Sequence, residues 1–223
     1  AAMLRALDAH YGPRAAPAAV IPTGLARPRG LRGAKRPLVF AAGRLWDHGK
    51  NIAALAAAAP ALPWRVVVAG DGAIGGGPAA AGVHQLGRLD AQGMAAAYRW
   101  AAIYALPARY EPFGLSILEA AQHGCALVLG DIDSLRENWS DAALFVPPDD
   151  VDGLTRALRL LIADPHARRR LAHRARRRAR CFSSRRMCRA TLDLYRQALT
   201  GHQASARPHE TVTLEEANPA CAS

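Results

Sequence analysis

The chain predicts an α/β fold, a parallel sheet with helices on both faces. Short runs of apolar residues alternate with stretches whose apolar positions recur at helical spacing. The runs carry no inside–outside alternation, as expected of strands buried on both faces. Glycine turns follow several of them, where a strand hands over to a helix.

The elements follow in order. Residues 1–12 (AAMLRALDAHYG) read as the end of a helix stopped by Gly12. Residues 13–36 are rich in Pro, Gly, Ala and Arg, a linker composition. Residues 38–42 form a strand candidate and 51–59 a helix. Residues 65–69 (RVVVA) form a strong buried strand. From 71 to 82 the chain runs DGAIGGGPAAAG, which cannot easily supply a long helix, so this crossover is expected to be short or irregular. Residues 83–86 are a short strand, 91–100 a helix, 103–106 a strand, 115–123 a helix and 126–129 a strand. Residues 144–146 give a last short strand. Leu154, Ala157, Leu158, Leu161 and Ile162 give 151–163 its helical spacing. Two more helices are expected at 165–180 and 184–199, and the tail after Thr200 lacks periodicity.

A chain of 223 residues can bury a substantial core. No run of ~18 uncharged apolar residues is present, so no membrane-spanning helix is expected. The start at Ala1 suggests a fragment. Cys125, Cys181, Cys188 and Cys221 form no CxxC pair and no ligand-like spacing with His, which fits a reduced, cytoplasmic setting.

The net charge of +11 suggests nucleic acid until it is located. Residues 165–189 hold eleven arginines and no Asp or Glu, leaving eighteen basic and eighteen acidic residues elsewhere. Arginine outnumbers lysine 27 to 2, a pattern that GC-rich coding also produces. The helix at 165–180 has no Phe, Tyr or Trp to stack on bases, and Leu171 is its only large apolar residue. Nucleic acid is therefore an unfavoured partner. A solvated face, or a weak contact with acidic lipid head groups at the inner membrane face, fits better.

The chemistry concentrates at three turns. Gly43-Arg44-Leu45 follows the first strand, with Lys50 close behind. Two cations then stand at the carboxyl end of a parallel strand, where open α/β sheets bind ligands. Gly70-Asp71-Gly72 follows the second strand. The segment EPFGLSILE, Glu111 to Glu119, puts a glycine where a helix begins and a carboxylate on either side. Unpaired backbone N–H groups at such a turn can seat a phosphate or a sugar hydroxyl. The two carboxylates suit two contacts on one long ligand better than an acid and nucleophile pair. GDGAIG at 70–75 fits the letters GxGxxG, but it runs on into a glycine-rich stretch that cannot easily supply the helix a dinucleotide loop opens, and no GxxxxGK[ST] occurs, so dehydrogenase and ATPase readings lack a supported phosphate loop. His48 reads as a solvated loop residue and His123 as a helix-end cap, and no metal ligand set is recognisable.

AAGRLWDHGKN, VVVAGDG, HQLGRLD, ARYEPFGLSILEAAQHG and FVPPDD together resemble the nucleotide-sugar-binding half of family 4 retaining glycosyltransferases, which have the GT-B fold. The resemblance covers about residues 38–199 and implies a Rossmann-like donor domain. It lays the chain out as the end of an acceptor domain and interdomain linker (1–36), a donor domain (37–182), a closing C-terminal helix (183–200) and a loose tail (201–223). It implies that Arg44 and Lys50 hold the donor diphosphate, with no metal and no cofactor, and that Glu111 faces the donor sugar. Phe113, Gly114 and Leu115 would touch sugar and phosphate through their backbone, and Glu119 would bind ribose. Leu86 and Gly87 would line the base, and Gly43, Gly70 and Gly72 would belong to the same donor-binding site. The expected partners are a nucleotide-sugar donor and a missing acceptor domain, without which the chain is expected to be inactive. The chain departs from the family at Pro112, where some members have glycine, and at Asp133-Ser134, which replace a glycine pair. Two other readings stay open: a non-catalytic remnant that binds a partner or an anionic surface through its Arg-rich helices, and a sugar-nucleotide epimerase of similar architecture.

Overall fold

Six short apolar runs build one parallel sheet in the computed structural model, which describes residues 1–12, 18–28, 34–74 and 81–201. The chain divides into two compact units, Ala1–Arg27 with Cys181–Ser223, and Pro28–Arg180.

In the smaller unit, helix α1 spans Ala2–Tyr11 and stops at Gly12, whose φ of 80° suits glycine. Leu25 pairs with Ser183 in a parallel bridge, through Leu25 N–H to the Phe182 carbonyl (3.1 Å) and Ser184 N–H to the Leu25 carbonyl (3.2 Å).

The larger unit holds the sheet. Its strands are β1 (Arg36–Ala42), β2 (Arg65–Ala69), β3 (Val83–Gln85), β4 (Ala101–Leu106), β5 (Ala126–Gly130) and β6 (Ala143–Val146). They lie in the order β3-β2-β1-β4-β5-β6 and every pair is parallel. Its helices are α2 (Ile52–Ala58), α3 (Ala91–Trp100), α4 (Leu115–Gln122), α5 (Asp133–Trp139), α6 (Val151–Ala163) and α7 (Pro165–Ala179). Helix α8 (Ser184–Gly201) belongs to the smaller unit. Helix α2 packs with α6, while α3 and α7 pack against α4, giving helical cover on both faces. All six residues of β4 are buried. Phe40, Tyr98 and Tyr104 meet at ring distances of 5.3–6.0 Å in the centre of the core.

Aspartates start three of these helices. Asp90, Asp150 and Asp164 each accept a backbone N–H from the first turn of α3, α6 and α7. Pro165 stands at the first position of α7, where its missing N–H costs nothing.

The chain leaves β1 toward β2 on one side and β4 toward β5 on the other. This reversal opens a crevice at the carboxyl ends of β1 and β4, the place where doubly wound sheets take their ligands.

Helix α5 is an element that sequence patterning does not reveal. It is seven residues long and mostly polar, and only Leu135 and Trp139, four apart, are buried. Strand β4 begins two residues earlier than its apolar pattern indicates, because Ala101 and Ala102 are small yet buried. Within the glycine-rich stretch 71–82, residues 75–80 lie outside the described residues, as do 202–223 of the expected loose tail.

Candidate functional site

The loops after β1 and β4 meet in this crevice, and backbone bonds join them. Arg109 and Tyr110 N–H both donate to the Gly49 carbonyl, at 2.9 and 3.1 Å. The Tyr104 hydroxyl, at the far end of β4, lies 3.3 Å from the Ala42 carbonyl and 2.8 Å from Ser116 Oγ. It thus links the end of β1 to the first turn of α4.

Within this frame Lys50 Nζ donates to Glu111 Oε2. The lysine side chain is 20% exposed and the carboxylate 9%, so the pair is shielded but open on one side. Ser134 Oγ donates to the Glu111 backbone carbonyl at 2.7 Å. Ser134 therefore fixes the backbone of the first glutamate.

Arg44 lies at the rim with its side chain 62% exposed. Its Nε and Nη2 donate to Asp47 Oδ2 at 3.1 and 2.5 Å, and its guanidinium lies 5.4 Å from the exposed Trp46 ring. Burial would raise the Asp47 carboxyl, but hydrogen bonds from Arg44 and from the Gly49 N–H hold it below the usual range.

Helix α4 starts at Gly114, whose φ of 86° lies in the left-handed region, and no side chain caps it. The N–H groups of its first turn thus have no acceptor within the helix. An added Cβ at Gly114 would stand 2.5 Å from Ile117 Cδ1. Leu115 is exposed at this turn.

Glu119 lies farther down α4, half-buried. Burial raises its carboxyl, and the Tyr98 phenol pulls it part of the way back. The buried Tyr98 hydroxyl makes no hydrogen bond of good geometry. His123 ends the same helix. It stacks on Tyr98 at 5.7 Å, and its Nδ1 lies 2.8 Å from the Glu119 carbonyl. Burial lowers its pKa, and His123 acts as the expected helix-end cap.

The glycines after β2 and β3 bring backbone together. Gly70 has a φ of 146°, and a Cβ there would lie 1.7 Å from the Gly43 carbonyl oxygen. At Gly72 a Cβ would meet Trp46 Cδ1 at 2.5 Å. Gly70 N–H donates to the Gly87 carbonyl (2.9 Å), and Leu86 N–H to the Val68 carbonyl (2.9 Å). The sequence-selected residues at the carboxyl ends of β1, β2 and β3 thus form one stitched rim.

Asn51 is a site residue that motif reading passes over. It is 3% exposed with a left-handed φ of 54°, which asparagine tolerates better than most residues. Its Nδ2 donates to the carbonyls of Pro107 and Pro148, both at 2.8 Å, and its Oδ1 accepts from Arg109. Arg109 also grips Asp149 Oδ1 through Nε (3.1 Å) and Nη2 (2.6 Å). Asn51 therefore ties the loops after β1, β4 and β6. The usable signal lay in the words GKN and VPPDD: a buried asparagine at a helix start and a proline carbonyl to receive it. No cluster of three His, Cys, Asp or Glu able to hold a metal is found among the described residues.

The family model described as "Glycosyl transferases group 1" matches residues 36–164. Glycogen synthase of Mycobacterium tuberculosis is 37% identical over 121 residues, covering 53% of this chain and 29% of that protein. The D-inositol 3-phosphate glycosyltransferase of Saccharomonospora viridis is 32% identical over 175 residues, covering 69% and 40%. The chain thus spans well under half the length of these relatives. Among solved structures, sucrose-phosphate synthase from Thermosynechococcus elongatus superposes with a TM-score of 0.75 at 24% identity, covering 90% of this chain and 57% of that one. HepE of Anabaena in complex with UDP-glucose gives 0.61 at 21% identity, covering 72% and 49%. These two likenesses show the fold, the Rossmann-like sheet of GT-B glycosyltransferases.

Proposed function

The chain belongs to the group 1 glycosyl transferases, and we propose that its larger unit binds the nucleotide-diphospho-sugar donor of a retaining, family 4-type transfer. The observation that carries this reading is the shielded Lys50–Glu111 pair beside the uncapped start of α4, at the reversal point of the sheet.

Lys50 and Arg44 follow β1 and the uncapped N–H groups of α4 follow β4, the two strands at the reversal point of the sheet. A diphosphate fits them, with the ammonium as a point charge, the guanidinium as a planar fork and the helix start as a third contact. When the bond from the anomeric carbon to the diphosphate oxygen breaks, the electron pair leaves with the diphosphate. Lys50 in the shielded crevice, with Arg44 at its rim, stabilises that growing charge, and no metal ion is needed in this scheme. Glu111 accepts hydroxyls of the donor sugar. The backbone of Phe113, Gly114 and Leu115 lies along sugar and phosphate, Glu119 takes the ribose, and Leu86 and Gly87 border the base. HepE, whose complex holds UDP-glucose, shares the fold and so supports a donor of this chemical class. The acceptor site is assigned to a facing domain of the GT-B arrangement, and the reaction to the cytoplasmic side of a membrane or the cytoplasm.

Titration calorimetry with UDP, ADP and GDP tests the reading. One of them binds the wild type, and Lys50→Ala weakens that binding by about 10–100-fold, the range for losing a hydrogen bond to a charged group. Absence of binding to all three, or equal binding by the variant, would overturn it.

A further inference from the structure

The outer face of α7 carries a concentrated charge that the donor site does not use. Two of the helix's arginines turn inward. Arg168 Nη1 donates to the Leu161 and Ile162 carbonyls at 2.5 and 3.2 Å, and its guanidinium lies 4.8 Å from the Trp64 ring centre. Arg178 Nε donates to the Asn138 carbonyl at 2.8 Å. Arg169, Arg170, Arg174, Arg176, Arg177 and the C-cap Arg180 are exposed, as are His166 and His173. With about 3.6 residues per turn, these eight positions share one arc of about 160°, while Leu171, Ala175 and Ala179 are buried on the other side. Fifteen residues at ~1.5 Å each make a cationic strip about 22 Å long.

This strip has little internal compensation. No ion pair among the described residues involves any of the six arginines. The nearby carboxylate is Asp164, at the start of the helix by Arg170, and it is occupied by the His166 and Ala167 N–H groups. Arg176 adds its charge to that of Lys35 close by.

We propose that the outer face of α7 binds an anionic phospholipid surface. Charge complementarity selects the partner class, and geometry selects within it. A groove reader of duplex nucleic acid sends side chains from one narrow helix edge to the bases, and single strands require aromatic platforms. Here the arginines fan too widely for one groove, and the helix has no Phe, Tyr or Trp. Lipid head groups diffuse laterally and can gather under a broad, convex cationic strip. The large apolar residue of the helix, Leu171, is buried, so attachment is electrostatic and does not insert. Each arginine held near such a surface strengthens binding by about fivefold.

Vesicle co-sedimentation of the whole chain tests this. The wild type should bind phosphatidylglycerol–phosphatidylcholine vesicles at about physiological ionic strength, ignore pure phosphatidylcholine and release as salt rises. The variant R169Q/R170Q/R174Q/R177Q should lose roughly 100-fold or more. Removing three exposed charges elsewhere in the larger unit, as R88Q/R156Q/R159Q, should change binding only a few-fold. Circular dichroism checks that both variants fold. Should the first not fold, vesicles should still protect Arg169, Arg170, Arg174 and Arg177 of the wild type from phenylglyoxal while leaving Arg88 and Arg159 of the same unit reactive. The proposal fails if anionic and neutral vesicles bind alike, if both variants lose equally, or if protection is uniform. It fails equally if duplex DNA binds more tightly than anionic vesicles at equal salt.

Discussion

At the residue scale, the Lys50–Glu111 pair separates stability from function. Both groups are shielded, so removing one leaves the other facing a low-dielectric crevice without its partner. Lys50→Met alone should therefore destabilise the fold, by about 1–3 kcal/mol given the partial exposure. Adding Glu111→Gln should recover most of that loss and restore no nucleotide binding, because the cation is still gone. Chemical denaturation beside calorimetry reads both quantities. Recovery of binding in the double variant would show that Lys50 serves structure alone. Glu119 offers a second separation. Burial raises its folded carboxyl above the ordinary value, so the folded state holds its proton more tightly than the unfolded chain. Its contribution to stability is present below the ordinary carboxylate pKa and is lost as pH rises through the raised value. Glu119→Gln should thus raise the melting temperature near pH 7 and give no gain near pH 4. It should also weaken nucleoside diphosphate binding by about tenfold if the carboxylate holds ribose. His123 titrates in the opposite sense, since burial lowers it, but it is common to both proteins and cancels in their difference.

At the element scale, the turn into α4 shows what sequence discloses well. Gly114 was legible because a strand, a glycine and an amphipathic run follow one another within a dozen residues. Its φ of 86° and the 2.5 Å approach of Ile117 give the physical reason for glycine. Gly114→Ala should cost about 2–4 kcal/mol, combining left-handed strain with crowding of Ile117. It should also weaken diphosphate binding more than substitution at the exposed Leu115, because it turns the first N–H groups of α4 away from the crevice. A melting curve with a binding isotherm on each variant checks the order. The ties between loops were not legible. Asn51, Arg109 and Asp149 lie far apart in sequence, and their partners are mostly backbone carbonyls, which leave no mark in residue type. Helix α5 was hidden because two buried side chains are too few to set a period, and because Asp133-Ser134 read as a departure from a pattern. In the fold, Ser134 is the residue that holds Glu111.

At the scale of the whole molecule, parallel order and buried strands were readable from continuous apolar runs, but strand order was not. No local pattern says that the chain after β3 crosses over β2 and β1 to reach the far side of β1. That crossing creates the crevice, and it turns three separate turns into one candidate site. A ligand held there touches loops from both halves of the sheet and binds only the folded chain, so it should stabilise the molecule through mass action. At about one hundred times its dissociation constant, a nucleoside diphosphate adds about 2.7 kcal/mol. For a chain of this size each kcal/mol moves the midpoint by about 2–4 °C, so the expected rise is roughly 5–10 °C. Lys50→Ala should show almost none of this rise at the same nucleotide concentration, while R169Q/R170Q/R174Q/R177Q should keep all of it. A full shift in the Lys50 variant would move the binding site away from the reversal point of the sheet. A lost shift in the α7 variant would make the cationic strip part of the nucleotide site instead of a separate surface.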